Sequence, residues 1–177
     1  MAILIPPPSL AAAPHQLAAR VVNHRIGVAT EIVASSAALI GALVSGLIGQ
    51  SVLAVLLGVV ALVAAFAGAR RKGVRNLPDS SLSVVDVGET PGTLAGVYPI
   101  GDGFVPYRAN RLPLGLLGMG MAGLISGLSG VGGGWVKTPT ASEVMHVPVK
   151  VAAATSTFTV GVTAAVGLLV YESQGRI

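Results

Sequence analysis

Six residues, Ser129-Gly130-Val131-Gly132-Gly133-Gly134, interrupt an otherwise apolar stretch that runs from residue 112 to residue 171. On one side lies an apolar segment (112–128). On the other come a short piece with Lys137 and Pro139 and a second long apolar segment that begins at Pro148. So glycine-rich a run would be a poor helix in water. Between two segments of spanning length it has a narrower meaning: backbone that is neither helix nor closed barrel survives at bilayer depth only where protein buries it or it lines a polar cavity. The pattern is that of helices broken in mid-membrane to make a binding site.

Composition supports a bilayer as the solvent. The chain is 53% apolar and only 10% charged, against roughly 25% charged in an ordinary soluble domain. Its mean hydropathy is +0.80. The 24 glycines favour close helix packing in lipid. The net charge of +4 comes from basic residues beside apolar segments, as in juxtamembrane anchors rather than nucleic-acid surfaces. There is no cysteine, which removes thiolate metal ligands and disulfides.

These observations predict an all-α, polytopic membrane bundle with a glycine-broken re-entrant or half-membrane segment and one small β-hairpin. Residues 1–25 are expected to be a flexible tail, since Pro6-Pro7-Pro8 favours an extended chain. Residues 26–70 should form a transmembrane hairpin (26–48 and 52–69) turning at Gly49-Gln50-Ser51. Both of its ends are basic (Arg20 and Arg25, then Arg70, Arg71, Lys72 and Arg75), which places them in the cytoplasm. Residues 71–111 read as a cytoplasmic connector with a hairpin around Gly101-Asp102-Gly103. Residues 112–177 supply a spanning helix, the glycine break, a half-helix and a last spanning helix.

The chemistry concentrates at the break. Glycines expose successive backbone N–H groups, and Lys137 adds a full positive charge beside them. Thr155 and Ser156 offer hydroxyls from the following helix, and Ser126 from the preceding one. The candidate substrate-binding set is therefore Ser126, Gly132, Gly133, Gly134, Lys137, Thr155 and Ser156, with Gly130, Pro139 and Pro148 shaping the break. Such a pocket suits a small oxyanion. The plainer alternative is that the glycines only let helices cross, Lys137 reaches for the interface, and Thr155 and Ser156 bond to their own helix carbonyls. Glu31 leaves two readings open: an acid near the interface, or a proton or substrate site.

Soluble phosphate-binding motifs do not fit. Val136 rather than glycine precedes Lys137, and Gly130-Val131-Gly132 lacks the third spaced glycine of a dinucleotide fingerprint. A Ser–Lys hydrolase using Ser126 or Ser129 with Lys137 has no supporting spacing, and His15, His24 and His146 are isolated. No catalysed reaction, metal or cofactor is expected.

The run Ser126-Gly127-Leu128-Ser129-Gly130-Val131-Gly132-Gly133-Gly134, then Lys137-Thr138-Pro139, then Val147 to Ser156 resembles the sulfite exporter TauE/SafE family of membrane permeases. The likeness is close over 112–171 and looser over 26–72, and the start of the chain resembles nothing in the family. It implies a multi-pass protein of the bacterial inner membrane that moves sulfite, a sulfonate or a related sulfur-containing anion by alternating access. Its partners would be the lipid bilayer and that anion. Such permeases carry two repeats with a glycine motif each; only one copy is present here, and the chain stops after the fourth helix. The expectation is therefore the middle portion of a permease. Set beside transport is a non-transporting module, or a fragment that needs a second chain or copy to complete its bundle.

Overall fold

A computed structural model describes residues 6–69, 88–100, 103–130 and 132–175. The elements are α1 (Pro6–Ala18), α2 (His24–Ser45), α3 (Gln50–Ala69), β1 (Gly88–Glu89), β2 (Ala95–Ile100), β3 (Gly103–Arg108), α4 (Leu112–Ser129), α5 (Gly134–Pro139), a π-helical segment (Thr140–Val144) and α6 (Val149–Ser173). The protein is a helical membrane protein. Among the described residues α2, α4 and α6 are each long and apolar enough to cross a bilayer.

Small residues set how these three helices meet. A Cβ on Gly123 would stand 1.9 Å from the Ala34 carbonyl oxygen, and one on Gly127 would stand 2.0 Å from that of Ala38. Helices α2 and α4 thus touch backbone to backbone, as lipid-embedded helices do where no bulky side chain intervenes. The pairing advances in the same sense on both (34 with 123, 38 with 127), so the two helices run parallel. Helix α6 is also parallel to α2: Gly27 lies against Thr155 and Thr159, and Gly46 against Gln174.

Parallel α4 and α6 force the chain between them to travel back across the bundle. Helix α4 ends at Gly130, whose φ of 65° is left-handed and whose N–H bonds to the Ser126 carbonyl at 2.8 Å. The return is antiparallel to α4, with Gly133 at Ala122, Thr140 at Gly118 and Met145 at Gly115. Of the re-entrant and half-membrane forms expected, the structure takes the second: a broken crossing that leaves at the opposite end. Pro139, which has no N–H to donate, sits where α-helix gives way to π. Pro148 takes the cap position one residue ahead of α6.

The N-terminal ends of α2, α4 and α6 are covered by the sheet. Strands β2 and β3 pair antiparallel from Ala95↔Arg108 to Ile100↔Gly103, and β1 adds to the free edge of β2. Tyr98 and Tyr107 pack with Ile26, Met119, Met145, Val147 and Val151. The expected hairpin is thus present, but docked on the bundle; its Gly101-Asp102 turn lies outside the described residues, as do Arg70, Arg71, Lys72 and Arg75. One expectation changes. Where a flexible tail was anticipated, residues 6–18 form a helix, and Leu17 packs with Val21, Val22, Ala154 and Phe158. Prolines at a helix start cost little, because first-turn N–H groups have no partner to lose.

The outer surface is apolar: Ile32, Val55, Leu62, Leu117 and Leu169 are all exposed. Thr30, Glu31, Ser126, Lys137, Thr155, Ser156, Thr159 and Thr163 are buried. This distribution reverses that of a water-soluble domain.

Candidate functional site

Lys137 is 1% exposed, one turn into α5. Its ammonium donates to Glu31 Oε2 at 2.6 Å and to the hydroxyl of Thr163. That hydroxyl donates in turn to Glu31 Oε1, which also accepts from Ser35 Oγ at 2.7 Å. Three elements (α2, α5 and α6) thereby close on one neutral cluster. Burial of either charge alone in a membrane would be costly, so the pair is held by mutual neutralisation and by the two hydroxyls.

On the sheet side of this cluster is a cavity of about 10 Å³, lined by Lys137, Thr30, Thr155, Ser156 and Thr159 with Ile26 and Met119. It has room for about one water. Thr30 Oγ1 donates to the Ile26 carbonyl at 2.7 Å, and Thr159 Oγ1 to that of Ser156 at 3.3 Å. Thr155 differs. Its oxygen accepts the Asn23 backbone N–H at 3.1 Å, while Asn23 caps α2 through Ile26 N–H and reaches Tyr107 Oη at 3.1 Å. The sheet, the start of α2 and the start of α6 meet at that asparagine.

On the far side is a second cleft, also about 10 Å³, lined by Ser126, Gly130, Gly132, Thr163, Gly167 and Tyr171. The phenol of Tyr171 donates to the Gly127 carbonyl.

The sequence-derived residues therefore divide. Lys137, Thr155 and Ser156 share the first cavity, whereas Ser126, Gly130 and Gly132 line the second. Gly133 and Gly134 do packing work: a Cβ would come within 2.8 Å of the Ala122 carbonyl oxygen at Gly133 and 3.2 Å of Val160 at Gly134. Ser129 donates to the Ile125 carbonyl at 2.7 Å, and the partners of the Lys137 ammonium are Glu31 and Thr163. Among the described residues no three His, Cys, Asp or Glu side chains are grouped to hold a metal.

Sequence alone does not point to Thr163, Thr30, Ser35 or Asn23, and it leaves Glu31 between two readings. A signal for two of them, Thr30 and Glu31, exists. The chain repeats itself at a constant offset of 125 residues: Pro14 with Pro139, Val22 with Val147, Ala29 with Ala154, Thr30 with Thr155. Arg25 matches Lys150, and Glu31 falls where the second copy has Ser156. The structure repeats likewise, with a proline-containing short helix leading to a long one in each copy. Since α2 and α6 are parallel, the two copies are related by an axis along the bundle rather than inverted.

A parallel helical bundle with a broken crossing and a polar interior defines the class, an integral membrane protein of the multi-helix type. The chain belongs to the sulfite exporter TauE/SafE family, a family of membrane transporters, whose model matches residues 2–177. The match begins at residue 2, so the start of the chain, read from sequence as outside the resemblance, is part of it. No curated protein and no solved structure matches the chain.

Proposed function

We propose that the protein carries a small sulfur-containing anion, such as sulfite or a sulfonate, across the inner membrane by alternating access. One observation carries the reading: a buried lysine shares a cavity with the hydroxyl-bearing Thr30, Thr155, Ser156 and Thr159, at the depth where three spanning helices converge. The ammonium supplies charge, and the Thr155 and Ser156 hydroxyls, unlike those of Thr30 and Thr159, which donate to helix carbonyls, can donate to the oxygens of a tetrahedral or pyramidal anion. The small cavity means that the anion enters only as helices or side chains move apart, with the broken crossing as the moving part. The docked sheet and the basic ends of the helices (Arg25, Arg111 and Lys150) face the cytoplasm in this reading.

Uptake of radiolabelled sulfite into proteoliposomes tests it. Thr155→Val and Ser156→Ala should each slow transport by about tenfold or more, the size of a lost hydrogen bond to a charged group. Lys137→Ala and Gly133→Val should abolish it. Rates untouched by all four would overturn the assignment.

The second reading, a module that needs another chain or copy, has one observation in its favour. Helix α3 packs chiefly against α4 and exposes Val52, Val55, Val59 and Leu62. Beside it an apolar groove of about 290 Å³ is lined by Val59, Val63, Ile125, Trp135 and Pro139. Transport that appears only on co-reconstitution with a second polypeptide would select this reading.

A further inference from the structure

The transport reading uses Lys137 but gives Glu31 no task, although Glu31 holds the same ammonium at 2.6 Å. An anion that binds Lys137 must displace that carboxylate or sit beside it. Sitting beside it would place two negative charges on one cation in a low-dielectric interior. Among the described residues the surroundings offer no other compensation. Within Leu112–Ser129, α4 has no titratable side chain, and α3 has none within Gln50–Ala69. Helix α6 carries Lys150, Tyr171 and Glu172 only near its ends, and the π segment has Glu143, which is exposed. On α2 itself, His24 and Arg25 lie at the exposed start of the helix. Lys137 is the one charged group that faces Glu31 among the described residues.

We infer that Glu31 is an exchangeable counter-ion that accepts one proton from water when the anion takes its place on Lys137, so that anion and proton bind together. This rests on the transport reading above. The charge count balances. The empty site is neutral as ammonium and carboxylate, and the loaded site is neutral as ammonium, monoanion and carboxylic acid. Thr163 suits the exchange, because its hydroxyl accepts from Lys137 while donating to Glu31. With a protonated Glu31 that hydroxyl can turn and accept from the acid instead.

The position of the cluster matches the task. The first cavity reaches Thr155, Ser156 and Thr159 on α6, and the second cleft reaches Thr163, Ala164, Gly167 and Tyr171. The centres of the two are roughly 15 Å apart along the helix at 1.5 Å per residue. Thr163, with Lys137 and Glu31 bound to it, stands between them. The ion pair thus stands between two small polar spaces, with Lys137 lining one and Thr163 the other. The repeat makes the substitution visible: the second copy has a plain hydroxyl at Ser156, and the first has a carboxylate at Glu31.

The test is calorimetric titration of sodium sulfite into the purified protein, in wild type, Glu31→Gln, Glu31→Ser and Glu31→Asp, from about pH 5 to about pH 9. One proton taken up per anion makes wild-type binding strengthen as pH falls. The slope alone does not say which group takes the proton, because a Gln or Ser variant leaves the Lys137 amine free to take it instead. Infrared difference spectra supply the assignment: sulfite added to the wild type should raise the carbonyl band of a protonated carboxylic acid. Glu31→Asp should keep that band, and Glu31→Gln should lack it. Glu31→Ser serves if Glu31→Gln fails to fold. Sulfite binding to the wild type without the band, or with the band retained in the Gln and Ser variants, would overturn the counter-ion role while leaving the transport reading in place. Absence of sulfite binding to the wild type at every pH would overturn both.

Discussion

In the transport reading, Lys137 and Glu31 are the residues on which stability and function meet, and the two can be separated. Deletion of one member of a buried ion pair leaves the other charge without compensation, at about 3–5 kcal/mol. Replacement of both by apolar side chains of similar size is often neutral. Lys137→Ala and Glu31→Ala should therefore each lower the thermal midpoint in detergent sharply. The double variant Lys137→Met/Glu31→Leu should recover most of that loss, and proteoliposomes that contain it should still move no sulfite. If the double variant transports, the pair is structural only. The sequence made Lys137 conspicuous, as a cation beside a glycine run, and put Thr155 and Ser156 near it. It gave no partner, because the contact to Glu31 spans 106 residues and hydropathy holds no information on which buried charge meets which. The 125-residue repeat is the one feature that would have set Glu31 at the level of Ser156.

At the level of elements, the glycines fall into two mechanical kinds. Gly123 and Gly127 hold α4 against α2, and Gly127→Leu would drive a side chain into the Ala38 carbonyl, 2.0 Å from the first added carbon. Such overpacking typically costs about 1–3 kcal/mol, and more where backbone cannot give. The expected result is a lower thermal midpoint with loss of transport in proportion. Gly133 seats α5 on Ala122 with a milder conflict of 2.8 Å. Gly133→Val should leave the folded fraction largely intact, as judged by size-exclusion profile and circular dichroism, yet stop transport by tilting the helix that carries Lys137. Spanning helices could be read from sequence because length and apolarity encode them directly. Helix α1 could not: Pro6-Pro7-Pro8 reads as extended chain, and its helical state depends on docking against α6 through Leu17. The re-entrant form of the crossing was equally available to sequence, since direction of travel is set by which glycine meets which backbone.

The orientation of the whole molecule follows from the parallel course of α2, α4 and α6. If all three start on one side, the broken segment must cross, and Lys150 must lie on the same side as the docked sheet. A segment that merely dipped in and out would put Lys150 on the other side. The chain has no cysteine, so single replacements at exposed positions report directly. Thr93→Cys in the sheet connector, Lys150→Cys at the start of α6 and Ser51→Cys at the start of α3 make the set. With a membrane-impermeant maleimide on intact cells, Ser51→Cys should label, whereas Thr93→Cys and Lys150→Cys should label only after permeabilisation. Labelling of Lys150→Cys but not Thr93→Cys from outside would mean that the glycine segment does not cross. Labelling of both from outside, with Ser51→Cys protected, would invert the molecule and leave its basic helix ends on the side that the membrane potential disfavours.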